Sequence, residues 1–141
     1  MYKLISISLM LLCSLSCNNQ SHEAEEFLGF FYRFKVDKLF SIERAIFPIK
    51  SIKYEYGLDQ QGKEETVAIE TKVLAETFTK QPTLHEYAAN YNLSIEIKPP
   101  EATLEKRIVK VYKQGTDWLI EYHFIMKDSS WYLQETHDYS L

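Results

Sequence analysis

Residues 108–140 read IVKVYKQGTDWLIEYHFIMKDSSWYLQETHDYS. Apolar and polar side chains alternate through three runs, 108–114, 118–127 and 131–140, separated by Gly115-Thr116 and Asp128-Ser129. A period of two bounded by turn-forming pairs predicts three antiparallel strands joined by tight two-residue turns. Turns that short dictate the register. Met126 then faces Trp131, Phe124 faces Leu133, Tyr122 faces Glu135, Ile120 faces His137 and Trp118 faces Tyr139. On the other side Val111 meets Ile120, Val109 meets Tyr122 and Arg107 meets Phe124. One face collects Trp118, Ile120, Phe124, Met126, Trp131, Leu133, Val109 and Val111, which makes it the core face. Arg107, Tyr122, Glu135 and His137 fall on that same face, where polar groups are costly unless paired.

Upstream of this meander the period changes. Phe27, Phe30, Phe31 and Phe34 recur at three- and four-residue spacing, with Leu28 widening the stripe, so a helix is expected from Glu23 onward. Glu23, Glu25 and Glu26 crowd its start while Arg33, Lys35 and Lys38 follow, an order that suits the helix dipole. Asp37 can cap a second, shorter helix carrying Leu39, Phe40 and Ile42, which Phe47-Pro48 would end. Arg44 is placed to pair with Asp37 or Glu43, or to hold that helix against the sheet. Residues 51–56 and 67–73 alternate about a turn region at 57–62 and predict a hairpin with one buried face. Thr83 and Glu86 form a capping box for a helix to about Asn90, and Leu93, Ile95 and Ile97 a short strand stopped by Pro99-Pro100.

The N-terminus has a different character. Met1-Tyr2-Lys3 precedes an uncharged apolar run at residues 4–15, LISISLMLLCSL. A spanning helix needs about 20 apolar residues, so this run has the length of a signal-peptide core instead. Ser14-Leu15-Ser16-Cys17 resembles a bacterial lipobox, with Ser14 where Leu is usual. Residues 1–16 are therefore expected to be a signal peptide, Cys17 to be acylated, 17–22 to form a tether and 23–141 to form a single α+β domain. An ordinary secretory signal with an incidental cysteine is the alternative. Cys13 would leave with the signal, so the mature chain would have no pair of thiols to join. The expected location is the bacterial cell envelope, at the outer membrane, since Asn18 does not resemble an inner-membrane retention signal.

Composition bounds the rest. A chain of 141 residues makes one domain with a real core, and ten Tyr, eight Phe and two Trp exclude a disordered chain. A net charge of −4 argues against nucleic acid as a partner. The four histidines (His22, His85, His123, His137) lack ligand spacing, and no phosphate loop or catalytic motif occurs, so neither metal nor cofactor is expected.

Two N-terminal helices, strands, a helix and a long meander are the element order of the nuclear transport factor 2-like cone, in which a bent antiparallel sheet wraps around helices and leaves a cavity. The segment FLGFFYRFKVDKLFSIERAIFP, residues 27–48, resembles a family of uncharacterised Bacteroidetes lipoproteins of this fold, as does the closing Trp131-Tyr132-Leu133. Cystatin-like sheets wrapped on one helix are the nearest alternative. The resemblance implies fold and compartment and brings no activity. It also implies that a homodimer through the outer sheet face is possible. Arg107, Tyr122, Glu135 and His137 are then expected to line the cone. The expected role is a non-catalytic ligand- or partner-binding domain, held to the membrane by its lipid. The alternatives are an enzyme using Glu135 or His137 as general base, and a structural or assembly lipoprotein.

Overall fold

The computed structural model describes residues 24–100 and 103–140. The expected signal segment, Cys17 and the tether lie outside the described residues. Helix α1 (Phe27–Val36) is capped by Glu26, whose carboxylate accepts a hydrogen bond from Gly29 N at 3.2 Å. It buries Phe27, Phe30, Phe31 and Phe34, the stripe read from the sequence. Helix α2 (Lys38–Glu43) is capped by Asp37, which accepts from Phe40 N at 3.0 Å. Strands β1 (Ala45–Leu58) and β2 (Glu64–Val73) form the hairpin, followed by helix α3 (Ala75–Lys80), helix α4 (Leu84–Tyr91) and strand β3 (Ser94–Ile97). The meander is β4 (Lys106–Tyr112), β5 (Leu119–Lys127) and β6 (Ser130–Asp138).

All six strands join one sheet in the order β2-β1-β6-β5-β4-β3. The sheet is mixed rather than wholly antiparallel: β1 runs parallel to β6, because the chain returns to the middle of the sheet only at its last strand. Phe47-Pro48 does not end α2, which stops at Glu43, but lies inside β1; the extended geometry that Pro imposes on the residue before it suits a strand. The hairpin does not bury one face along its length. Every β2 residue but Val73 is exposed. Helix α3 is six residues long and was not expected; Leu74 gives it no side-chain cap bond. The capping box of α4 forms as read, with Glu86 Oε2 accepting from Thr83 N at 2.8 Å and Thr83 Oγ1 from Glu86 N at 3.2 Å.

The core is an aromatic layer between α1 and the meander. The Phe124 ring meets those of Phe27, Phe30, Phe31 and Phe34 edge-on at 5.1–6.0 Å. Val109, Val111, Leu133 and Trp131 close the layer below. Glu25 fastens the chain to it: its carboxylate accepts from Trp131 N at 2.9 Å and pairs with Arg44 through Nη1 at 3.0 Å and Nη2 at 3.3 Å. Its carbonyl accepts from Trp131 Nε1 at 2.8 Å. Arg44 thus holds α2 against the sheet through Glu25, not through Asp37 or Glu43.

Candidate functional site

The decisive feature is one extra residue in β6. From the Asp128-Ser129 turn, both of whose residues have positive φ, the ladder starts as the sequence predicts, with Met126 opposite Trp131 and Phe124 opposite Leu133. The register then slips. His123 pairs with Glu135, Tyr122 with Thr136, Glu121 with His137 and Ile120 with Asp138, which leaves Gln134 as a bulge without a partner. Side chains alternate with a period of two, so one inserted residue moves everything beyond it to the opposite face. The expected pairs Tyr122–Glu135 and Ile120–His137 do not form. Glu135 and His137 leave the inner face, and Thr136 and Asp138 replace them. Trp131 and Leu133, before the bulge, stay in the core.

The inner face opens beyond the core into a half-open cavity of about 210 Å3. Strand β1 contributes Ile49 and Ser51, β5 Ile120 and Tyr122, and β6 Thr136 and Asp138. Val73, Phe78, Gln81 and Tyr87 close the far side. A recess of about 40 Å3 beside it shares Phe78, Gln81 and Tyr122 and reaches Phe34 and Ser41. The α3 wall is held from α2 by Lys38, whose Nζ donates to Phe78 O at 2.7 Å and Gln81 O at 2.6 Å. A cation suits the carbonyls at a helix end. Burial lowers the Lys38 pKa, against the opposing pull of Glu86.

Burial pushes the Tyr122 phenol well above its ordinary range, and Tyr87 and the Asp138 charge push the same way. Burial, then Tyr91 and Asp138, likewise raises Tyr87. Both are neutral hydroxyls at physiological pH, fit to donate or accept hydrogen bonds and unfit as bases. The cavity offers apolar walls, four hydroxyls and one carboxylate, a combination that orients a bound molecule.

Glu135 and His137 meet Glu121 and His123 on the outer face. His123 Nε2 lies 3.2 Å from Glu121 Oε2 and His137 Nε2 lies 3.1 Å from Glu135 Oε2. The two imidazoles stack at 4.1 Å between ring centres. Lys98 Nζ reaches Glu121 at 3.6 Å, and Tyr54 stacks on Tyr139 at 4.6 Å beside His137. Burial, then His137, lowers the His123 pKa, with Glu121 opposing. Burial, then Glu121 and Tyr54, pushes Tyr139 up to about 12. Among the described residues no three His, Cys, Asp or Glu side chains are grouped so as to hold a metal ion.

Because the folded pKa of His123 lies below its ordinary value, near 6.5, the unfolded chain takes up this proton first as pH falls. The His123 contribution to stability is therefore fully present above about 6.5 and is lost on acidification through that value toward the folded pKa. The Tm of the protein is expected to fall between pH 7.5 and 5.5, and His123→Gln to flatten part of that fall. An unchanged profile in the variant would contradict the assignment.

Of the four residues expected to line the cone, Tyr122 lines the cavity. Arg107 stands at the other end of the meander, its guanidinium 5.5 Å from the Trp131 ring centre and its Nη1 donating to Lys106 O at 2.9 Å. Arg107 and Glu135 border a second half-open pocket of about 240 Å3 with Ile108, His123, Ile125 and Gln134. Glu135 or His137 cannot serve as a base inside the cavity from the opposite face. The sequence reading missed Ser51, Tyr87, Thr136 and Asp138. Tyr87 carried a signal, since it sits one turn from Leu84 on a helix whose cap was recognised. Thr136 and Asp138 carried none, because only the bulge turns them inward.

No protein-family model and no curated protein matches the chain. Solved structures do. A nuclear transport factor 2-like protein from Bacteroides fragilis superposes with a TM-score of 0.59 over 86% of this chain, at 21% identity. The fold is nuclear transport factor 2-like. This chain spans only 50% of the length of that protein. A DUF4783 family protein from Bacteroides uniformis is similar over 81% of this chain and 95% of its own, with a TM-score of 0.46 and 12% identity. A domain of unknown function with a cystatin-like fold from Nostoc punctiforme is similar over 79% of this chain and 74% of its own, with a TM-score of 0.40 and 12% identity.

Proposed function

We propose that this chain is a lipid-anchored protein of the bacterial envelope whose inner cavity binds a small molecule without transforming it. The observation that carries the binding reading is the half-open cavity of about 210 Å3, in which Ser51, Tyr122, Thr136 and Asp138 converge among apolar walls. Its volume is below the ~300–1,000 Å3 of pockets that take drug-sized ligands, so the occupant is fragment-sized. The single lining carboxylate, flanked by neutral phenols, is suited to recognition more than to paired acid–base work. A ligand of this size should raise the Tm of the full chain in a thermal-shift screen of fragments. Val73→Phe, which fills the cavity from β2, should abolish the shift while leaving the fold intact. A shift that survives the filling would place binding elsewhere.

Support for the anchor comes from residues 4–15 and Ser14-Leu15-Ser16-Cys17. Among the described residues no helix is long and apolar enough to cross a membrane. Cys17→Ala is expected to abolish incorporation of labelled fatty acid in cells; persistent labelling would contradict the anchor. An assembly role is the second reading, favoured by the β1–β2 arm, where Tyr56, Leu58, Val67 and Ile69 stand exposed.

A further inference from the structure

We propose that the inner cavity is selective for a small organic ammonium, a cationic amine on a short apolar chain, held by Asp138 beside the rings of Tyr87 and Tyr122. The inference rests on the binding reading above and names the ligand class of that same site. Its first support is the balance of charge. Asp138 is the one carboxylate among the residues lining the cavity. Its Oδ1 accepts from Ser140 N at 2.8 Å, and no ion pair to Asp138 is made among the described residues. The cation nearest in register is Lys53, aligned with Asp138 across the parallel β1–β6 pair. Lys53 instead donates to Glu55 Oε1 at 2.7 Å. The other cation at the wall, Lys38, is engaged by two carbonyls and balanced by Glu86. Each lysine thus has an acid of its own, with Asp138 the weakest of the influences on Lys53, and the carboxylate facing the cavity is that of Asp138.

The second support is the character of the walls. Phe78, Tyr87 and Tyr122 line the cavity, and the Phe78 ring already takes the Lys38 ammonium 4.9 Å from its centre, the kind of contact by which aromatic rings attract cations. Tyr87 is held in place by Tyr91 at 5.0 Å and Trp118 at 6.2 Å between ring centres. Ile49, Val73 and Ile120 give the cavity an apolar wall suited to a short alkyl chain. An anionic ligand would face Asp138 unshielded.

The test uses the full chain and three probes of one shape: n-butylammonium, n-butanol and butyrate. Binding is read from chemical-shift changes of the cavity residues Ile120, Tyr122 and Thr136. Butylammonium is expected to bind about tenfold more tightly than butanol, as a hydrogen bond to a charged group is worth that much, with butyrate weakest. Asp138→Asn should bring the butylammonium and butanol affinities to within about twofold of each other. Tyr87→Leu should lower the ratio of butylammonium to butanol affinity. If butanol binds as tightly as butylammonium, or the preference survives Asp138→Asn, the ammonium assignment is overturned while the cavity remains a binding site. If none of the three moves these resonances, the ammonium assignment and the binding reading fall together.

Discussion

Deletion of Thr136 is expected to destabilise the protein by about 3 kcal/mol or more, because it forces a charged or titratable side chain onto the inner face. If the bulge at Gln134 persists, His137 takes the place of Thr136 opposite Tyr122 and Asp138 turns outward. If the bulge is lost instead, Glu135 faces Tyr122, away from His137, its present partner. Either outcome desolvates a polar group left without its partner. Deletion of Gln134 itself is expected to be far milder. It removes the bulge and lets Leu133 keep Phe124 and Glu135 keep His123 in unbroken alternation. Urea denaturation of the two variants decides the matter. A Thr136 deletion no more harmful than that of Gln134 would mean that the register beyond the bulge does not govern this sheet.

Phe124→Ala should lower stability by about 3–5 kcal/mol, the usual cost of removing a large buried side chain and leaving a cavity. Among the described residues Phe124 is the one ring that touches all four phenylalanines of α1, so its loss opens the helix–sheet contact at its centre. The edge-on pairs add about 0.5–1.5 kcal/mol each to burial alone, which places the expected value toward the upper end. Phe124→Leu, which refills much of the space, should cost less. Leu104→Ala, at a position 76% exposed, should be nearly silent and serves as the control. Chemical denaturation monitored by tryptophan fluorescence gives all three values. A Phe124→Ala cost near that of Leu104→Ala would contradict the aromatic layer as the main source of stability.

The parts of the fold legible in the sequence were those set by local periodicity. The Phe stripe of α1, the Thr83–Glu86 capping box and the β4–β5 ladder from Arg107–Phe124 to Val111–Ile120 each follow from spacing within a few residues. The bulge was not legible, because Gln134, Glu135, Thr136, His137 and Asp138 are all polar and either parity of that run reads as plausible. Strict alternation names two faces and does not say which is which once the apolar anchors stop at Leu133. The face that β1 presents has a related cause. It is decided by the parallel pairing of β1 with β6, Ile52 beside His137, a contact between segments far apart in the chain. Helix α3 went unread because AETFTK is short and lacks a capping residue at Leu74. The candidate site therefore changed most where polar residues, free of any apolar pattern, lie beyond the reach of periodicity.

The slip in register decides which side chains the cavity holds, and one nuclear Overhauser measurement addresses it. The imidazoles of His123 and His137 stack at 4.1 Å on the outer face, whereas an unbroken ladder would place His137 on the inner face opposite Ile120. Cross-peaks between the ring protons of His123 and His137 are the expected result. Cross-peaks from the His137 ring to the methyl groups of Ile120 and Val111, with none to His123, would contradict it.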